Sequence, residues 1–318
     1  MIDVREYGIR RIFQNYNLKK RIKDLNLIDN FLFGTVVDYP GMGEEFVRLL
    51  LKTIFNRNFG KLQIVPEKEY KGVDTDLHGV RLDVYVEAAS DDNAKDVSVI
   101  DIEPEKNDKE KDVKTLPKRT RYYHSKIDAI GFESGKAYRY LKEVIVVMIM
   151  SFDPFGRDRT IYTIRNMCQE EPDIPYDDGA RTIYLYTKGT RGRSRKKLRE
   201  LLCYMEKSTE DNAVNPELRK LHHMVEKVKM DKGVSLKYMK YLEQQEMIRE
   251  EGREEGRKEE MVNTERERLR AEAAEQKNQE IVFSNIKNLM RNLGFTAEQA
   301  MQALNISEAY RRLFRAQL

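Results

Sequence analysis

Between Gly43 and Asn56 the apolar residues Phe46, Leu49, Leu50 and Ile54 recur at helical spacing, with charged residues between them. That pattern predicts an amphipathic helix over 43–56. The stretch before it, LIDNFLFGTVVDYPGMG from Leu27, is also patterned for helix and is interrupted by a Pro-Gly turn at 40–41. Beyond Lys61 the period shortens. LQIV (62–65), VRLDVYVE (80–87) and DVSVIDIEPE (96–105) read as strands, and the turn-rich ASDDNAK between the last two predicts an antiparallel hairpin. A long helical stretch follows from Pro117 through Leu141, with proline in its first turn. VIVVMIM (144–150), IYTIRN (161–166) and TIYLYTK (182–188) then read as further strands. Helix, strands, helix and strands in this order indicate a mixed α/β domain over 23–210.

After about residue 215 the pattern changes. Residues 243–280 hold few large apolar side chains and suit a solvated helix with pairs such as Glu254 and Lys258 at i,i+4. Gly252 and Gly256 weaken that helix by about 1 kcal/mol each relative to alanine. Residues 211–280 therefore read as a charged helical spacer, more as a solvated face than as a nucleic-acid contact. The last segment, 281–318, regains helical patterning. Gly294 ends one helix, Thr296 with Gln299 forms a capping box for the next, and Ser307 caps a short third. Leu289, Leu293, Met301 and Leu304 fit a small packing or oligomer core; a helix-turn-helix with Arg311, Arg312 and Arg315 on its last helix is the other reading. Residues 1–22 form a basic arm with little pattern.

Composition changes the picture in three ways. The chain has 318 residues, enough for one or two domains with a real core. Charged residues make up 35% while the net charge is only +4, so any basic surface has to come from local clustering. Two cysteines, Cys168 and Cys203, have no metal-type spacing and form no disulfide framework, which fits a reducing compartment. VIVVMIM is too short to span a bilayer, and the N-terminus lacks the apolar segment of a signal peptide, so a cytoplasmic protein without membrane partners is expected. His222-His223 has no ligand-like partner and is assigned no chemistry.

The candidate chemistry lies in the hairpin. By parity Val97, Val99, Asp101, Glu103 and Glu105 share one face of the second strand, so that face changes from apolar to three carboxylates at the strand's end. Asp83 on the first strand opposes Asp101 or Glu103 only in an even register. In that register the acids repel one another unless protonated or met by a cation, and oxygen-only ligation suits Mg²⁺ or Mn²⁺. Spacing alone is served better by a solvated acidic face paired with nearby lysines.

Several blocks carry a resemblance: LIDNFLFGTVV, GVRLDVYVE, IDIEPE, LPKRTRYYHSKID, GKAYRYLKEVIVVMIMSFDPFG and DGARTIYLYTKG, followed by the REEGREEGRKEE run. In order and spacing they resemble the PD-(D/E)xK nuclease superfamily, in its branch of Rpn-type recombination-promoting nucleases or putative transposases. The resemblance covers roughly two thirds of the chain closely. It implies a restriction-endonuclease-like sheet flanked by helices and a Mg²⁺- or Mn²⁺-dependent DNA endonuclease. Asp83 and Glu103 would be the metal ligands, with Glu44 or Glu45 as a supporting glutamate. The chain departs from the family at two places. Glu105 stands where Lys or Gln is usual, so it would ligate a second cation or cede the positive role to Lys118, Arg119 or Arg121. His124 stands where Gln is frequent.

Asp83, Glu103 and Glu105 are thus the expected catalytic residues. Lys118, Arg119, Arg121 and Lys126, interleaved with Tyr122 and Tyr123, and the loop residues Arg193, Arg195 and Lys196 are candidate DNA contacts; a solvated helix and a solvated loop are the plain alternatives. The rival expectations are a catalytically silent fold that binds DNA or a partner, and an assembly protein that forms homo-oligomers through its C-terminal helices.

Overall fold

The computed structural model describes residues 21–70, 80–91, 97–106, 108–132 and 134–315. Most of the basic arm expected over 1–22 lies outside those residues. Its end does not: Ile22 is buried within a 3-10 turn, Ile22–Asp24, and belongs to the fold. The chain divides into two compact units, Met1–Lys240 and Tyr241–Leu318.

The first unit opens with helices α1 (Asn30–Val37) and α2 (Gly43–Phe55). The turn between them closes tightly. A β-carbon built on Gly43 would lie 1.8 Å from the Val37 carbonyl oxygen, so only glycine allows this approach. Strands β1 (Phe59–Tyr70), β2 (Val80–Ser90) and β3 (Val97–Glu105) follow, then helix α3 (Glu110–Gly131) and strands β4 (Glu143–Met150), β5 (Ile161–Ile164) and β6 (Ala180–Tyr186). They form one six-stranded sheet in the order β1-β2-β3-β4-β6-β5. β1, β2 and β3 pair antiparallel, β3, β4 and β6 pair parallel, and β5 closes the edge antiparallel to β6.

β3 and β4 therefore lie in the middle of a mixed sheet, and their residues are buried almost without a break. Helix α3 lays Leu116, Tyr122, Tyr123 and Ile127 on a sheet face built of Tyr85, Val99, Val144, Val146, Met148 and Tyr184. Residues of the opposite parity, such as Ile100, Ile102 and Val147, are buried as well, as expected for parallel strands covered on both sides. α1 and α2 pack along β1 and β2.

Two expected boundaries are corrected. The helix predicted from Pro117 to Leu141 begins seven residues earlier and ends at Gly131, with Pro117 inside it. Glu110 and Asp112 supply the acidic first turn that favours a helix start, and burial of Leu116 and Ile127 outweighs the ladder bond lost at proline. The domain also runs past 210. Helix α4 (Lys196–Glu206) is followed by α5 (Pro216–Met230), whose Leu218, Leu221, Met224, Val225 and Val228 are all buried. The Tyr39 hydroxyl donates to Asp231 at 2.8 Å and fastens the end of α5 to the α1–α2 turn.

Helix α6 (Lys232–Leu293) enters the second unit, and every residue from 247 to 278 is exposed. The expected pair of Glu254 and Lys258 forms at 3.1 Å. In the second unit Gly294, with φ of +67°, ends α6. The capping box of Thr296 and Gln299 opens α7 (Ala297–Ala303), and α8 (Glu308–Arg315) follows. Ile286, Ala300, Met301 and Phe314 are buried together, with Leu289 packed against them. Leu293, the last residue of α6, and Leu304, the residue after α7, both expected in that core, are exposed. Arg311 and Arg315 both pair with Glu298. Among the described residues no helix is long and apolar enough to cross a membrane.

Candidate active site

The hairpin register is the even one. Val84 pairs with Ile102 and Tyr85 with Asp101, and one further step sets Asp83 against Glu103. The ladder between β2 and β3 ends there, and Glu103 replaces it: its Oε1 accepts the backbone N–H of Asp83 at 2.8 Å. Pro104 thus lies beyond the last β2 pair, while pairing with β4 continues through Glu105. Its missing donor removes no β2 bond.

The acids differ in how they are held. Asn30, the first residue of α1, donates from Nδ2 to Asp83 Oδ2 at 3.3 Å. Glu105 accepts from Arg119 on α3 at 2.8 Å, and Arg119 also lies 5.8 Å from the centre of the Tyr123 ring. Asp101 is wholly buried, and neither of its carboxyl oxygens has a hydrogen-bond partner while it is ionised.

Burial dominates the electrostatics. It pushes Asp83 up to about 6; Arg81 opposes this, and the charges of Glu105 and Glu67 add to it. Burial and then the Asp83 charge push Glu103 up to about 8, against the pull of the Asp83 N–H and of Arg119. Asp101 is driven well above the carboxylate range by burial first and by Glu103 and Asp83 after it; once protonated it can donate to Glu103. Burial likewise raises the Tyr123 hydroxyl, and Glu103 adds to the effect. For Arg119, burial alone would lower the guanidinium, but Tyr123 and Glu105 outweigh it. Glu103 and Asp101, each raised by burial and then by neighbouring carboxylate charge, hold protons at neutral pH that a nearby cation would displace.

The donor set fits a hard divalent cation. Among the described residues no group of three or more His, Cys, Asp or Glu side chains forms a cage. Mg²⁺, however, commonly takes only one or two carboxylates and fills its octahedron with water and substrate phosphate. Asp83 and Glu103 offer two carboxylates side by side at the end of the ladder.

Of Lys118, Arg119 and Arg121, the three candidates for the positive role beside Glu105, the fold brings Arg119 to it. Asp101 lies on the acidic face as expected, and its complete burial is new; Asn30 has no signal in the sequence that joins it to the acids. Asn30 comes from another element, and alternation along β3 gives no sign that its polar face is covered. Glu44 pairs with Arg48 and Glu45 with Lys220, so neither glutamate joins the hairpin acids. His124 turns to β6, where Nε2 lies 3.0 Å from the Thr182 hydroxyl; burial lowers its pKa.

The candidate DNA contacts separate. Lys118 and Arg121 are exposed on α3, and Lys126 stands 5.4 Å over the Tyr122 ring. Arg195 donates to the Ile54 carbonyl at 2.5 Å, Lys196 lies 3.8 Å from Glu200, and Arg193 is exposed. Both cysteines are free.

No family model, no curated protein and no solved structure matches the chain.

Proposed function

We propose that this protein is a cytoplasmic, metal-dependent DNA endonuclease of the PD-(D/E)xK superfamily and its Rpn-type branch, built on a restriction-endonuclease-like sheet. The observation that carries the reading is the pairing of Asp83 with Glu103 at the end of the β2–β3 ladder, with both carboxyls held above their ordinary range. The sequence blocks described above support it.

In this reading Asp83 and Glu103 hold Mg²⁺ or Mn²⁺. When bound, the ion offsets charge on the scissile phosphate and acidifies a water. The chain's own groups do the rest. Asn30 fixes one oxygen of Asp83. Arg119 neutralises Glu105 and brings a permanent positive charge to the position where relatives of the family carry Lys or Gln. Lys118 and Arg121 stand on the exposed side of the same helix and would steer the phosphate backbone.

One observation favours a second reading, a silent nuclease fold that binds DNA without cutting it. Glu105 already has Arg119, and Glu103 is engaged with the Asp83 N–H, so protein donors meet part of the negative charge. Nicking of supercoiled plasmid with Mg²⁺ or Mn²⁺ separates the two. The nuclease reading expects metal-dependent nicking that falls on the order of 10³-fold in Asp83→Ala and in Glu103→Ala. Folded protein that binds plasmid and leaves it intact with either metal would sink it in favour of the silent fold.

A further inference from the structure

Away from the paired acids, the face of the sheet under α3 opens into a cleft of about 390 Å³. Its floor is apolar, made of Tyr85, Val99, Ile127 and Val144, and Phe132 and Tyr140 stand at its rim. The segment 134–142 beside it is exposed at every residue. Tyr138 is 82% exposed and Tyr140 61%, unusual values for rings so close to an open apolar cleft. The rings are ordered by one another and by a cation. Phe132 and Tyr138 stack with centroids 6.0 Å apart and planes 16° from parallel. The Arg139 guanidinium lies 4.9 Å over the Tyr140 ring.

Both signs of charge line the cleft. Lys136 and Lys142 line the cleft and Arg139 sits between the two tyrosines. Of the acids that line it, Glu87 is engaged by Lys142 at 2.7 Å and by the Tyr85 hydroxyl at 2.8 Å. Asp128 is half-buried, and burial raises its pKa. Lys68 stands 3.3 Å over the Tyr85 ring at the floor.

We propose that Tyr138, Tyr140 and the adjoining cleft form a stacking platform for single-stranded nucleic acid. Flat exposed rings beside an apolar slot, with cations spaced along the rim, are what a strand with unstacked bases requires. A duplex hides its base faces and has no use for the rings. The platform also lies on a line with the paired acids. Tyr85 and Val99 share a face with Asp83 and Glu103, and Val99 is four residues before Glu103 along β3, or about 13 Å. This deepens the nuclease reading by naming single strands as its substrate class, although the binding itself needs no metal.

The test is fluorescence anisotropy of labelled short oligo-dT, oligo-rU and a duplex of equal length, in EDTA, with the whole chain. We expect the single strands to bind more tightly than the duplex. Tyr138→Ala with Tyr140→Ala should weaken them by about 10-fold or more, and Tyr138→Phe with Tyr140→Phe should restore binding, because stacking uses the ring and not the hydroxyl. Glu254→Gln, on the exposed stretch of α6, should bind as the parent does. Plasmid left uncut while these results hold would remove the nuclease reading and leave the platform standing. Equal affinity of parent and double alanine variant for single strands would overturn the platform, as would a preference for duplex. A change of oligomeric state in the alanine variant without loss of affinity would also overturn it and mark the rings as a contact between copies. The ratio of oligo-dT to oligo-rU affinity decides between DNA and RNA as the strand.

Discussion

The end of β3 and the middle of α6 contain the same kind of residue in opposite surroundings. Asp101 and Glu103 are 0% and 5% exposed, and their charges have no room to spread. In α6 every residue from 247 to 278 faces solvent, and acids such as Glu254 meet lysine or arginine one turn away. Water screens the second group, so its pairs add little. The first group is packed under α3, so each carboxyl changes the proton affinity of the next. Counting charges along a chain therefore says little; the layer that covers them decides whether they solvate a helix or create a demand for a cation.

The sharpest test of that contrast is pH. Asp83 and Glu103 titrate in the folded protein at about 6 and about 8, above their ordinary values of 3.8 and 4.5. A carboxyl raised on folding contributes stability that is complete below its unfolded value and is lost as pH climbs through its folded one. The metal-free protein should thus lose on the order of 5–10 °C of Tm between about pH 5 and pH 8. Asp83→Asn with Glu103→Gln should reduce that loss to the part carried by the buried Asp101, and Mg²⁺ should restore the parent at the alkaline end. A flat parent profile would place these acids with those of α6.

A smaller effect is expected at Arg119. Arg119→Met leaves the largely buried Glu105 without its 2.8 Å partner and should cost about 2 kcal/mol in urea unfolding. Adding Glu105→Gln should recover most of that loss; additive losses would show that the pair does not act as one.

The smallest effects belong to α6. Gly252→Ala and Gly256→Ala meet nothing within 4 Å, so each should raise helix stability by about 1 kcal/mol, read as thermal loss of helical circular dichroism. Glu254→Gln should leave the Tm unchanged within error, since both ends of its pair are exposed.

Much of this organisation was legible because its signals are periodic. The parity that put Asp101, Glu103 and Glu105 on one face needs only the two-residue repeat of a strand, and the Thr296–Gln299 box needs only its spacing. Register was not legible. Val84 meets Ile102 because of how the hairpin closes, and nothing local to either strand fixes that. Burial was hidden for a related reason: an alternating strand reads as half-exposed, yet β3 lies inside the sheet beneath a helix. Arg119 belongs to the helix its sequence predicts, but a proline is equally at home in a first turn, so Pro117 masks the true start at Glu110. The contact with Glu105 depends on how α3 lies across the sheet, which no spacing along the chain records.

Gly43 carries a consequence for how this chain can vary. The α1–α2 turn has no space for a side chain there, and α1 begins with the asparagine that steadies Asp83. Descendants of this sequence can exchange Gly252 or Gly256 freely, yet any replacement at Gly43 must displace the helix that presents Asn30. Inheritance at the acidic hairpin is thus tied to a residue that touches none of it, and lineages that keep Asp83 should keep Gly43 with it.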